Sequence, residues 1–506
     1  MKKLIPLLLG GACVLASCGT GSTTKTETDT VQAPAPAAVD TTAFNITIAA
    51  LPPQDLPADA TPQQLAEFAW AEFFALNWQS SYNTSKLRAT PTDTVTWNFR
   101  KPDATLAVWE TYAHRTELLP NQPYTVLPFD AAPHYSFGKM PLPYPGPAQP
   151  SFTLFNNLDE NNEIGSCDLY GQVGQPGGNR MVLYQAKVNR AEYNYIGTNY
   201  NTPAKLQAAA DTTAVHIKKY KAYYKGATSS CDTVAVPGVL CLPCGGAPAQ
   251  GGQGQGTIEI KTAWRMLTPA EDATKFFTRK VIYYRTKGTQ VYYDNATFAL
   301  VGMHIIHKTV NFPDFVFATW EHIDVEKENM GLSLLNSNGS EIPPYMQPYK
   351  RLHPIEPVTN YATAAAHRKL KALNPNSVWL NYRLTGVQGT PTGNTNTSNY
   401  FLANYVVESD STLANFHGSG IGTPFDNGAN TLLKGQLLTA GGCQGCHGVT
   451  QLKGTDFSFL LDGFQKPVLS PDTDTSMRAK LTHYLQHSAR REARVSAIVA
   501  KSAARR

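Results

Sequence analysis

The chain has 506 residues, 42% hydrophobic, 10% aromatic and 16% charged, with a net charge of +5. That length allows roughly two to four domains, and the composition excludes a wholly disordered, collagen-like or coiled-coil protein. No basic stripe runs through the middle of the chain, which argues against a nucleic-acid binder, and 24 Tyr, 21 Phe, 38 Gly and 35 Pro favour strands and loops over a helical bundle.

The N-terminus carries Lys2 and Lys3, an apolar run over 4–14, and Leu15-Ala16-Ser17-Cys18. This is the pattern of a bacterial secretory signal, and the run from Leu4 to Ala16 is too short to span a bilayer. With Gly19 behind it, the tetrapeptide resembles a lipobox. Residues 1–17 are therefore expected to be a lipoprotein signal peptide and Cys18 the lipidated residue; an ordinary signal peptide ending in Cys is the alternative. Loss of both early lysines would leave a net charge of +3. The Thr-, Ala-, Pro- and Asp-rich stretch 18–60 is expected to be a flexible tether with an r.m.s. reach of about 35 Å.

The main body is expected over 61–425. Thr61-Pro62-Gln63-Gln64 reads as a helix start with Thr as N-cap, Pro at N1 and Gln at N3. The helix should run to about Trp78 and be deeply packed, since Leu65, Phe68, Trp70, Phe73, Phe74 and Leu76 surround much of it. Met181–Val188 reads as a strand. In Gly256–Leu267, Ile258, Ile260, Trp264 and Met266 alternate with Glu259, Lys261 and Arg265, which predicts a half-buried strand. Tyr283–Tyr293 predicts a hairpin with Lys287-Gly288 at its tip. Phe298–Val310 and Phe315–Glu321 read as strands, and Asn360–Leu373 as a helix ending before Pro375. The fold class that follows is α+β: a β-rich, sandwich-like body with helical edges, then a short helical segment over 426–506.

His304 and His307 are an odd number apart, so on a regular strand they face opposite sides and cannot serve one site without a bulge. Trp320-Glu321-His322-Ile323-Asp324 places acidic groups nearby. Glu321 and Asp324 are candidates for an acid/base pair, with an ordinary strand end as the simpler reading. No Ser/His/Asp arrangement and no H-E-x-x-H pattern is present, so no catalytic residue is assigned.

The strongest signal is Cys443-Gln444-Gly445-Cys446-His447, the c-type haem attachment pattern. Two thiols at this spacing form thioethers with the haem vinyl groups, and the adjacent imidazole becomes the proximal iron ligand. Half of a zinc site is the alternative, but no second Cys/His pair with zinc spacing lies nearby. One covalent haem c is therefore expected on Cys443, Cys446 and His447. Upstream, residues 430–438 read as a short helix leading into the motif, with Asn430 as N-cap. For the sixth iron position, Met477, His483 and His487 are candidates from a last helix over about Ser476 to Ala500. A ligand from the upstream body, or an open position, is the other possibility. Of eight cysteines, Cys13 lies in the signal peptide. Cys167, Cys231, Cys241 and Cys244 remain for two disulfides in an oxidising compartment, with three possible connectivities; Cys241-Leu242-Pro243-Cys244 as a redox-active dithiol is the alternative.

Several stretches together resemble an uncharacterised family of exported bacterial c-type haem lipoproteins with one such motif near the C-terminus. They are Phe74–Trp78, Val108–Thr111, Gly256–Leu267, Gly302–Thr309 with Trp320–Asp324, Cys443–Gly448, and Gly454-Thr455-Asp456-Phe457-Ser458-Phe459. The resemblance implies haem binding and architecture but no reaction. The expected function is single-electron transfer by a lipid-anchored monohaem protein of the bacterial envelope. Its partners would be a redox protein and, through the anchor, a membrane, with no nucleic acid. The alternative is a haem enzyme or a gas- or small-molecule-binding protein with an open sixth site. The basic end of the last helix, with Arg490, Arg491, Arg494, Lys501, Arg505 and Arg506, is a solvated terminus or a docking patch for anionic lipid or an acidic partner.

Overall fold

In the computed structural model the described residues are 41–93, 97–99, 105–118, 126–145, 155–161, 167–171, 180–220, 238–250, 252–326, 330–334, 343, 345–349, 351, 354–389, 402, 404–408, 432–433, 436–437, 442–462 and 471. The signal peptide, Cys18, Cys231, Met477, His483, His487 and the basic terminus lie outside them.

Helix α1 (Pro62–Leu76) starts as its residues dictate. The Thr61 side chain accepts from the Gln64 backbone N–H, and the Gln64 side chain accepts from that of Thr61, a reciprocal cap with Pro at N1. The helix lies against a mixed sheet of nine strands, nearly closed as a barrel. Its main path runs in the order β1 (Ala113–His114), β2 (Leu183–Val188), β3 (Ile258–Met266), β5 (Gln290–His307), β6 (Val316–His322) and β7 (Tyr382–Gln388), each antiparallel to its neighbour. Strand β4 (Thr278–Lys287) pairs with the first half of β5 through a hairpin whose tip holds Gly288 at φ 61°. The left-handed conformation there is the reason for glycine. The two β pieces read separately at 290–293 and 298–310 are one strand of 18 residues.

The sheet is covered on both faces, and each face has its own core. On one face, β5 presents Met303 and Ile305 and β6 presents Ala318 and Trp320 to α1 and to α4 (Pro357–Leu373). Trp70 and Phe73 meet Trp320 at ring separations of 6.1 and 5.0 Å. His307 belongs to this face, with Nδ1 2.9 Å from the Glu72 carboxylate of α1. On the other face Val188, Ile306 and Phe317 join residues of α2 (Arg190–Asn199) and α3 (Pro203–Tyr220), together with Cys443, Phe457 and Leu461. His304 is on this second face, so the two histidines do point apart.

Four expectations change. The body is not a pair of facing sheets but one large sheet between helices, with a separate four-stranded sheet built on Cys167–Gly171 and Met330–Leu334. Strand β3 is not half-buried: Glu259 and Arg265 are buried with its apolar residues. With both faces covered, its charges find partners inside, Lys261 with Glu160 and Arg265 with Glu271. Residues 44–56, expected as tether, supply Phe44, Ile46 and Ala50 to the first core and Leu56 to a satellite cluster. In place of the helix read over 430–438, Leu432–Leu433 pairs with Gln436–Leu437 as a small antiparallel hairpin. Gly435 is a poor helix former in so short a segment.

Among the described residues no helix is long and apolar enough to cross a membrane. Residues from Thr41 onward form one compact unit.

Candidate functional site

The Cys-x-x-Cys-His motif opens helix α6 (Gly442–Leu452). Residues at i, i+3 and i+4 share a helix face, so the backbone brings positions 443, 446 and 447 to one side. Cys443 is only 6% exposed, and its thiol donates to the Leu402 carbonyl at 3.1 Å. Beside it, the Gln444 backbone N–H donates to the Gln388 side chain of β7 at 3.2 Å.

His447 is the best-defined group. Its Nδ1 lies 2.7 Å from the Phe457 carbonyl, and since a carbonyl only accepts, Nδ1 carries the proton. The lone pair is therefore on Nε2, the tautomer a haem iron requires. The Phe317 and Phe459 rings flank the imidazole at 5.0 and 4.8 Å. Burial, outweighing the Phe457 hydrogen bond, pushes His447 down to about 4 and keeps it neutral.

The turn that supplies Phe457 is held against its own backbone preferences. Gly454, Asp456 and Phe457 have φ values of 85°, 51° and 64°. Only Gly occupies that region without strain, and a Cβ at Gly454 would stand 1.9 Å from the Ala210 carbonyl oxygen of α3. What holds the other two is the Asp456 carboxylate. Lys308 Nζ donates to both of its oxygens at 2.8 and 2.7 Å, and the Leu242 N–H donates to it at 2.6 Å, with both charged side chains fully buried. The Thr455 hydroxyl ties the turn to the Thr450 carbonyl of α6 at 3.1 Å. One residue on, Ser458 lies beside Glu259, which is next to Glu192. Burial is the main reason both carboxyls are raised, Glu259 to about 7 and Glu192 well above the carboxylate range; mutual repulsion and Asp456 add to the effect on Glu192.

Thus Gly454–Phe459, which had no assigned chemistry, forms the bed of the motif histidine. His304 was weighed without a site and faces the same side. Cys241 is half of a disulfide, and Cys244 carries a thiol. The two cysteines of Cys-Leu-Pro-Cys are therefore not paired with each other, and the two-disulfide pairing of all four is not formed. Glu321 and Asp324 do not form an acid/base pair either: Glu321 is buried and accepts from Arg351 and Arg383, the Arg383 contact being 2.7 Å.

Among the described residues no three His, Cys, Asp or Glu side chains gather as a metal-binding group. No family model, no curated protein and no solved structure matches the chain.

Proposed function

We propose that the chain is a lipid-anchored monohaem c-type protein that passes single electrons in the bacterial envelope. The observation that carries this reading is His447, half-buried on the face of the motif helix with its Nδ1 proton committed to Phe457. A covalent haem supplies a one-electron iron couple. The chain's part is to fix the imidazole. The hydrogen bond to Phe457 sets the tautomer and makes Nε2 a stronger donor, while the Phe317 and Phe459 rings pack on either side of the imidazole.

The test is chemical. Full-length protein made with haem-maturation machinery should keep its colour in the precipitate after acid-acetone extraction, and Cys443→Ser should shift the α band of its pyridine haemochrome to longer wavelength, because one vinyl group remains unsaturated. A colourless wild-type precipitate ends the reading. The proposed location has its own check: Cys18→Ser should move the protein from the high-salt-washed membrane fraction to the soluble one.

A second reading, a haem enzyme or gas-binding protein with an open sixth position, is favoured by one observation. A half-buried histidine and a buried carboxylate, His304 and Glu408 of α5 (Tyr405–Glu408), stand together on the sheet face that carries the motif helix. Carbon monoxide added to the reduced protein separates the two, since an open site changes its spectrum at once.

A further inference from the structure

We propose that Lys308 and Asp456 are the reactants of an intramolecular isopeptide bond, formed between Lys308 Nζ and Asp456 Cγ with loss of water, and that Glu259 carries the protons. The cross-link ties the end of β5 to the turn under the motif helix, 148 residues away in the chain. It involves none of Cys443, Cys446 and His447, and so goes beyond the haem reading.

The register of the sheet sets the geometry. Lys308 directly follows β5, and its N–H donates to the Thr257 carbonyl at 3.0 Å. Glu259 of β3 lies opposite Ile306. Glu259 and Lys308 therefore share the second face at diagonal positions on neighbouring strands, a separation of about 7–8 Å that long side chains span. Asp456 comes from the segment that covers this face. Lys308 Nζ stands 2.8 and 2.7 Å from its two oxygens, which places Cγ within about 3–3.5 Å of Nζ, the range of a near-attack arrangement. The carboxyl needs only to turn about its Cβ–Cγ bond to show its face to the nitrogen. Both side chains are fully buried. The Phe315 ring lies 5.3 Å from Nζ, and Phe457 packs on Phe315 at 6.3 Å.

Such an enclosure favours amide formation, because water is kept from the product and the charged pair lies close in energy to its neutral form, amine and acid, where charge is poorly solvated. In that form the Nζ lone pair attacks Cγ, the Nζ–Cγ bond forms and the C=O pair withdraws onto oxygen. A carboxyl that can both give and take a proton must stand by. Glu259 is buried, and its Oε1 has no hydrogen-bond partner among the described residues. Burial first, and Asp456 after it, raise Glu259 to about 7, so acid and carboxylate are both present near neutrality. It takes a proton from Nζ and returns one to the oxygen that departs as water. The C=O then re-forms, Glu259 ends as it began, and nothing is oxidised or reduced. Until the bond forms, the two charges hold the turn as an ion pair. Linked and unlinked chains differ by one water and separate by mass.

The test uses the folded full-length chain, incubated near neutral pH, then denatured, reduced, digested and read by tandem mass spectrometry. Wild type should yield a branched peptide joining Lys308 to Asp456, lighter than its two parts by one water and unaffected by reductant. Lys308→Met and Asp456→Ala should yield only linear peptides. Glu259→Gln keeps both reactants in place and should link on the order of 10²-fold more slowly, the contribution expected of a positioned proton carrier. Linear Lys308 and Asp456 peptides alone from folded wild type overturn the proposal. A branch that forms as fast in Glu259→Gln overturns the role of Glu259. Acid-acetone extraction of the same material reports on the haem separately, so failure of that reading and failure of the cross-link are distinct results.

Discussion

Asp456→Asn is expected to destabilise the protein by about 3–5 kcal/mol, the cost of removing one charge from a buried ion pair. Lys308 and Asp456 are both fully buried, and the ammonium donates to both carboxylate oxygens. The nearest alternative for the ammonium is the face of Phe315, 5.3 Å away, and a cation–π contact is worth far less than a buried carboxylate. Asn can still accept from Leu242, so the change isolates the charge. The loss should also appear at the motif histidine, and so at the haem proposed to sit there, because Asp456 holds the strained turn whose Phe457 carbonyl fixes His447. Urea denaturation gives the first quantity and the ferric spectrum the second. A loss below about 1 kcal/mol would mean that water reaches Lys308 and the turn is not held by charge.

The second large effect is a pH dependence. Burial raises Glu259 from 4.5 to about 7 and Glu192 beyond the usual carboxylate range. Below pH 4.5 both folded and unfolded chains hold these protons, and the stability they preserve is fully present. Between about 4.5 and 7 the unfolded chain releases its proton first, so stability falls as pH rises through the folded value, by roughly 3 kcal/mol for Glu259. The groups around the pair include Asp456, which adds to the rise, and Ser458, which opposes it. His304 and His447 act in the opposite sense. Their folded values are lowered from 6.5, so their contribution is present above that pH and lost as pH falls. The difference between wild type and Glu259→Gln removes those terms. That variant should gain on wild type by roughly 3 kcal/mol between pH 5 and pH 8; an equal difference at both pH values would sink the assignment.

Much of the first core was legible in the sequence because local chemistry and burial agree there. Thr61, Pro62 and Gln64 specify a cap that no tertiary contact opposes, Gly288 marks the hairpin tip, and the odd spacing of His304 and His307 separates them onto two faces. The second face was much less legible, for one physical reason. Alternation of Glu259, Lys261 and Arg265 with apolar residues normally means water on the charged side, whereas here that side is covered and the charges pair within it. The same inversion hid the site. Asp456 and Phe457 adopt positive φ without being glycine, which no local propensity reports, and only Lys308, 148 residues away in the chain, makes the turn tenable. The run at 430–438 misled because short Leu-rich segments suit helix and hairpin alike.

The burial of Cys443 bears on how such a protein is made. A thiol that is 6% exposed, with its hydrogen on the Leu402 carbonyl, is closed to a bulky porphyrin approaching from outside. Under the function proposed above, thioether formation would have to precede the docking of residues 442–462 onto the sheet. The strand path from β1 to β7 is complete at Gln388 and takes no strand from that segment, so the barrel-like half and its α1 core have what they need before the C-terminus arrives. On that reading the fold itself would order maturation: the cofactor would be fastened first, and residues 442–462 would then close onto the sheet.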